Sequence, residues 1–188
     1  NRGTATQAFL TRFQSDVHLP EPERTELFAR YEQILECYAC ASTDMVSCHN
    51  DLFKPDNILF DGDRLWLVDW EAAFLNDRYA DLAVVANLLG LTADEELPFL
   101  ERYLGAPAHV DQVAKLFLMR QLAHAFYAMA FLFIGSRGAS IDWNEPLPDA
   151  NDLRQCIWQG DGSLADPKAK NIRGRSHLKE FLNSHQRH

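Results

Sequence analysis

Cys48-His49-Asn50-Asp51-Leu52-Phe53-Lys54-Pro55-Asp56-Asn57-Ile58-Leu59-Phe60, followed nine residues later by Asp69-Trp70-Glu71, is the stretch from which the rest of the chain is read. Its apolar runs 57–60 and 65–69 are rich in strand formers and are separated by Asp61-Gly62-Asp63-Arg64. Asp-Gly between two such runs is a strong hairpin signal. Folded antiparallel, the hairpin returns Asn57, which opens its first strand, to Asp69, which closes its second. The loop ahead of the hairpin delivers Asp51 to the same end. An amide oxygen beside a carboxylate suits magnesium that keeps room for substrate phosphates. A further carboxylate suits a hydroxyl nucleophile that has to be oriented. Phosphoryl transfer uses this set, and it is catalysed mainly by positioning and charge neutralisation.

Outward from the hairpin the pattern turns helical. Leu27, Phe28, Tyr31, Ile34, Leu35 and Tyr38 recur at helical spacing over 25–41, after a loop marked by Pro20 and Pro22. Beyond Trp70, Asp81 is expected to N-cap a helix over 82–89 that stops at Gly90. Thr92 with Glu95 reads as a capping box for a helix ending near Gly105. The run 110–134 reads as one long buried helix closed by Gly135, and 136–150 as an irregular loop with Trp143 exposed or lining a cleft. Helical pieces are expected over 152–158 and from 176 to the C-terminus, with no internal repeat. The fold class is mostly α with a small β-hairpin, a single domain over 1–188.

Composition narrows the function classes. With 18 basic against 27 acidic residues and a net charge of −9, the chain is poorly suited to gripping nucleic acid or an anionic membrane surface. The membrane-like run 116–134 contains Arg120, Gln121 and His124, and a central Arg is costly in hydrocarbon, so a buried core helix is expected. His124 and Arg120, one turn apart, either face a cleft or, the favoured expectation, lie in the core with a backbone or carboxylate partner, and Phe126, Tyr127, Phe131 and Phe133 are mostly core by spacing. Cys37, Cys40, Cys48 and Cys156 lack disulfide-framework spacing, and the one CxxC falls within a helical pattern, so half-buried reduced thiols and a cytoplasmic location are expected. The first residues have no signal-peptide core and no starting Met, which is compatible with a fragment.

CHNDLFKPDNILF with LVDWE resembles the catalytic and metal-binding loops of the choline/ethanolamine kinase and aminoglycoside phosphotransferase family. Asn50, and Glu71 after Asp-Trp, resemble the choline/ethanolamine branch more, and 77–83 looks like the family's lead into the next helix. Motif resemblance covers about residues 47–90. It implies the C-terminal lobe of a protein-kinase-like (α+β) fold and an ATP- and magnesium-dependent transfer to a small-molecule alcohol or amino alcohol. Carried over, Asp51 is the catalytic base, and Asn57 and Asp69 hold magnesium. Glu71 meets a second metal or the substrate, and Lys54 reaches a phosphate. His49 and Asp81 brace the loop. Trp143 and Tyr127 are candidate substrate-pocket residues, with Trp70 and Trp158 as further aromatic walls for an ammonium group.

Two departures accompany the resemblance. Five residues rather than four separate Asp51 from Asn57, so a one-residue bulge is needed. Nothing before residue 45 looks like the family's N-terminal ATP-binding lobe, so the chain alone is expected to bind ATP weakly or not at all. An aminoglycoside or sugar phosphotransferase, a non-catalytic pseudokinase-like binding module and a metal-dependent hydrolase are the alternatives. The acceptor and the oligomeric state are left open.

Overall fold

The computed structural model describes residues 2–39, 44–160 and 165–184. It is mostly helical, with two small antiparallel strand pairs. Helices α1 (Arg2–Asp16) and α2 (Glu23–Ala39) lead into β1 (Met45–Cys48), which pairs with β4 (Phe74–Asp77). Between them β2 (Ile58–Phe60) and β3 (Leu65–Leu67) form the hairpin. Then follow α3 (Tyr79–Leu89), α4 (Ala93–Leu104), α5 (Val110–Gly135), α6 (Ala150–Trp158) and α7 (Pro167–Asn183).

The hairpin turn has a local cause. Asp61 accepts from the backbone N–H groups of Asp63 (2.9 Å) and Arg64 (2.8 Å) and from Trp66 Nε1 (2.7 Å). These bonds hold its carboxyl down to about 2, and Gly62 takes the positive φ of 103° that the turn requires. The strands are shorter than 57–60 and 65–69. Pro55 starts a single 3-10 turn, Pro55–Asn57, which leads directly into β2. At the other end Asp69 leaves the strand at φ 64° and ψ 60°.

Helix α5 is the centre of the packing. It lies most extensively against α7 and next against α3. One core gathers Phe13 and Val17 of α1 and its exit, Leu27 and Tyr31 of α2, Ala128, Met129 and Leu132 of α5, and Leu178 and Phe181 of α7. A second joins Tyr79, Leu82 and Ala83 to Leu100 and Leu116. Gly174 allows a close approach of α7 to α5. A Cβ there would stand 2.7 Å from Leu132 Cγ and 2.8 Å from its backbone nitrogen. By length and composition α5 could cross a membrane. Here it carries buried Arg120 and Gln121, and Arg120 bonds Asn87, the Leu91 carbonyl and the Glu96 carboxylate. Its Val110, Phe126 and Ile134 are exposed, so it is not buried all round.

Several sequence expectations are corrected. Helix α3 begins at Tyr79, not Leu82, because Asp77 Oδ1 accepts from the Tyr79 N–H; Asp81 therefore does not cap it. Residues 2–16 form a helix, and β1 with β4 adds a second strand pair. Helix α7 starts nine residues earlier than Ser176, where Asp166 caps the N–H groups of Lys168 and Ala169 and Pro167 occupies the first turn. Cys37 is exposed rather than half-buried, and Cys40 lies outside the described residues. Gly90 and Gly105, both at φ 68°, end α3 and α4 as expected, and Glu95 accepts from the Thr92 N–H (2.9 Å) and hydroxyl (2.9 Å).

Candidate active site

The loop between β1 and β2 is held from below by one side chain. Asp81, in the first turn of α3, accepts from the backbone N–H of His49 (Oδ2, 2.6 Å) and of Asn50 (Oδ1, 2.8 Å). Asn50 sits at φ 63°, a conformation that Asn tolerates better than most residues. Its amide donates to the carbonyls of Cys48 (2.9 Å) and Ala72 (3.3 Å) and accepts from Asn76 Nδ2 (2.8 Å), tying the loop to the start of β4. His49 is buried, and its Nε2 lies 2.7 Å from the Val68 carbonyl. A carbonyl only accepts, so Nε2 carries the proton. The segment just before Asp69 is thereby fastened to the loop carrying Asp51.

Asp51 is nearly buried. Its Oδ2 accepts from Lys54 Nζ at 2.7 Å and from Asn57 Nδ2 at 3.2 Å, and Asn57 Nδ2 also donates to the Asp51 carbonyl at 2.8 Å. The amide nitrogen of Asn57 thus faces Asp51, and Oδ1 is the atom left to serve a cation. The Val68 N–H bonds the Asn57 carbonyl at 3.0 Å, so the backbone carries Asp69 alongside Asn57. Asp69 and Glu71 are exposed. Lys54 registers how close the carboxylates are. Its ammonium is held above the usual lysine range first by the hydrogen bond to Asp51, then by the charges of Asp51, Asp69 and Glu71. Lys54 is thus turned onto Asp51.

Among the described residues no three His, Cys, Asp or Glu side chains form a ready-made metal cage. A donor set of one amide oxygen and one or two exposed carboxylates fits magnesium, which commonly takes few protein ligands and fills its octahedron with water and phosphate.

The two pocket candidates are not brought together. Tyr127 is half-buried with its ring 5.1 Å from that of Phe53, and its hydroxyl is pushed up by desolvation first and then by the charges of Asp51 and Asp81. Trp143 packs on the α1–α5–α7 core, with the Arg175 guanidinium 6.0 Å from its ring, and does not line the cleft that Tyr127 lines. The Trp70 ring lies 4.7 Å from that of His49, tilted by 52°, and Trp158 is exposed on α6. Sequence reading missed Phe53, Phe131 and His177, which line the cleft with Tyr127. Only the shared face of Arg173, His177 and Glu180, one or two helical turns apart, carried a signal for the last.

Comparisons with known proteins bear on this geometry. LicA of Haemophilus influenzae is 41% identical over 56 residues, which are 30% of this chain and 21% of that protein. A LicA homologue of Mycoplasma capricolum is 25% identical over 93 residues, 50% of this chain and 39% of its own length. The chain thus matches well under half of these curated relatives. A choline/ethanolamine kinase family protein from Mesorhizobium loti superposes with a TM-score of 0.63 at 17% identity, over 94% of this chain and 56% of that one. A Plasmodium vivax ethanolamine kinase gives 0.57 at 15% identity, over 97% and 49%. These likenesses show a shared protein-kinase-like fold. The model of the phosphotransferase enzyme family matches residues 3–116, more than half of the sequence and all of the loop and hairpin described above, and the chain belongs to that family.

Proposed function

We propose that this chain is the helical, C-terminal-lobe part of an ATP- and magnesium-dependent phosphotransferase acting on the hydroxyl of a small molecule. One observation carries the reading: Asp51, Asn57 and Lys54 form one hydrogen-bonded cluster, and the Lys54 ammonium lies in the field of Asp69 and Glu71. The lone acid and the amide are hydrogen-bonded to each other, and the charge of the second acid reaches the same lysine, which supports the reading.

Each residue then has a task. Asp51 Oδ2 is engaged by Lys54 and Asn57, which leaves Oδ1 to orient and accept a proton from an incoming hydroxyl. Asn57 Oδ1 and Asp69 hold magnesium, with Glu71 beside them for the substrate or a second ion. Bound there, the metal supplies charge neutralisation to the phosphates of ATP. When phosphate enters, Lys54 can exchange part of its contact with Asp51 for a phosphate oxygen. His49 and Asp81 set the loop's position, and neither touches the reacting atoms.

About half the length of the solved relatives has no counterpart in this chain. We assign the ATP-covering lobe to that half. The hairpin supplies surface for it: Phe60, Leu65, Trp66 and Trp70 are each at least half exposed, more apolar area than a solvated ribbon usually shows. The acceptor is a small alcohol. The choline and ethanolamine kinases among the fold neighbours make amino alcohols the first to assay. The free thiols fit the cytoplasm.

The test is an ATP-dependent phosphorylation screen of small alcohols with the full-length gene product, detecting phosphorylated product. Asp51→Asn should lower kcat by about a hundredfold or more. Release of free phosphate without a phosphorylated alcohol would assign a hydrolase, and nucleotide binding without turnover would assign a binding module.

A further inference from the structure

The pairing of β1 with β4 stops at Cys48 and Phe74. Beyond that pair β1 runs on into the loop carrying Asp51, while β4 is entered from the turn carrying Asp69 and Glu71. Two consecutive side chains bridge the gap between loop and turn. His49 donates from Nε2 to the Val68 carbonyl, just ahead of the turn (2.7 Å). Asn50 holds the far side of the turn. Its Nδ2 donates to the carbonyls of Ala72 (3.3 Å) and Phe74 (3.4 Å) as well as to that of Cys48 (2.9 Å).

A chain of bonds that starts in β4 sets the orientation of this amide. The Asp77 N–H donates to Asn76 Oδ1 (3.0 Å), so Asn76 turns its Nδ2 toward Asn50. Asn50 must then present Oδ1 to Asn76 (2.8 Å) and Nδ2 to the carbonyls, which only accept. Between the ties made by His49 and Asn50, Asp69 stands at φ 64° and ψ 60°. A residue other than glycine keeps that conformation only where its surroundings hold it. The side chains of Asp69 and Glu71 are exposed, so the backbone of the turn, rather than side-chain packing, decides where their carboxylates stand.

We infer that Asn50 is a positioning residue for the cation: anchored by Asn76, its side chain fixes the turn bearing Asp69 and Glu71 relative to Asn57 and Asp51. This rests on the reading of Asn57 and Asp69 as the magnesium ligands. Asn50 touches none of the reacting groups. Its backbone N–H donates to Asp81 whatever side chain the residue carries (2.8 Å). Loss of the amide therefore frees the turn without releasing the loop at Asp51. Groups that orient metal ligands from behind change metal affinity by about ten- to a hundredfold when they are removed.

Asn50→Gly isolates the side chain, because glycine takes φ 63° without strain and only the amide is lost. Manganese(II) titrated into the full-length protein saturated with ADP, and followed by electron paramagnetic resonance, is the probe. The variant should bind it about tenfold more weakly, and hydrogen exchange over 69–74 should quicken. KM for magnesium–ATP should rise in step, while kcat at saturation falls far less. A protein that is merely destabilised would instead lose kcat at the parent's manganese affinity. Asn76→Ala removes the anchor and should weaken manganese binding in the same direction, by several-fold. The double variant should bind little more weakly than Asn50→Gly alone, since both changes break one chain of bonds. Manganese affinity that neither substitution moves, or a parent protein that binds no manganese, overturns the inference, even where an alcohol is phosphorylated. If manganese binding weakens as stated and no alcohol is phosphorylated, the positioning role stands and the phosphotransferase reading fails.

Discussion

Removing the Asp81 carboxylate should loosen the loop that carries Asp51 while leaving Asp51, Lys54, Asn57, Asp69 and Glu71 in the chain. In Asp81→Ala the N–H groups of His49 and Asn50 lose acceptors at 2.6 and 2.8 Å. A hydrogen bond to a charged group contributes about 1.5–3 kcal/mol, which puts the pair at roughly 3–6 kcal/mol. Asp81 is half-buried, so water replaces part of each bond and about 2–4 kcal/mol is expected. In a domain of this size that corresponds to a Tm lower by about 5–12 °C. Asn50 is held at φ 63° next to Asp51, and a backbone released from that region moves toward more populated conformations. Turnover should therefore fall about tenfold or more, and Asp81→Asn, which keeps one acceptor oxygen, should lose roughly half the stability. Urea unfolding, hydrogen exchange at the two amides and turnover measure the three parts. If Asp81→Ala stays within about 0.5 kcal/mol of the parent and both amides exchange at unchanged rates, the clamp is not what positions the loop.

Three further outcomes follow from the packing and the buried charges. Gly174→Ala would place a Cβ 2.8 Å from the Leu132 backbone nitrogen, and the overpacking should cost about 3 kcal/mol despite better helix propensity, read as a lower urea midpoint at unchanged m-value. The folded-state pKa of His177, about 4, lies below its ordinary 6.5, so the unfolded chain binds more protons between those values. Stability should fall by about 3 kcal/mol as pH drops through that window, and His177→Asn, whose amide can still meet His124, should show a flatter profile by that amount. Glu96→Leu removes the carboxylate beside the nearly buried Arg120 guanidinium and should cost about 3 kcal/mol, less than the 3–5 of a bare buried charge because the Leu91 carbonyl and Asn87 remain. Adding Arg120→Met should recover part of that loss in the double variant.

Local chemistry made several elements legible. The Asp61-Gly62 turn, the Thr92–Glu95 cap and the glycine stops at Gly90 and Gly105 depend on neighbours a few residues apart, and each occurs where the residue types place it. The same local logic failed at Asp81. A capping residue is identified by what precedes an apolar run, and Asp77, four residues earlier, had already taken the Tyr79 N–H. Asp81 was thereby free to reach across 32 positions to His49. Strands β1 and β4 escaped notice because each is only four residues long and neither alternates cleanly between buried and exposed. Trp143 looked like a pocket wall because a Trp in a polar loop invites that reading, whereas packing against the α1–α5–α7 core claimed it.

By itself, then, the sequence determined the family, the mostly helical class and the hairpin with its amide and its acids, since these reside in residue identity and short spacing. Only the tertiary structure decided that Lys54 is turned onto Asp51, which two backbone amides Asp81 takes, and that His124 meets His177 across 53 positions. Contacts at that range depend on how α3, α5 and α7 pack, and helix packing is set by the shapes of many side chains together, which no local pattern encodes.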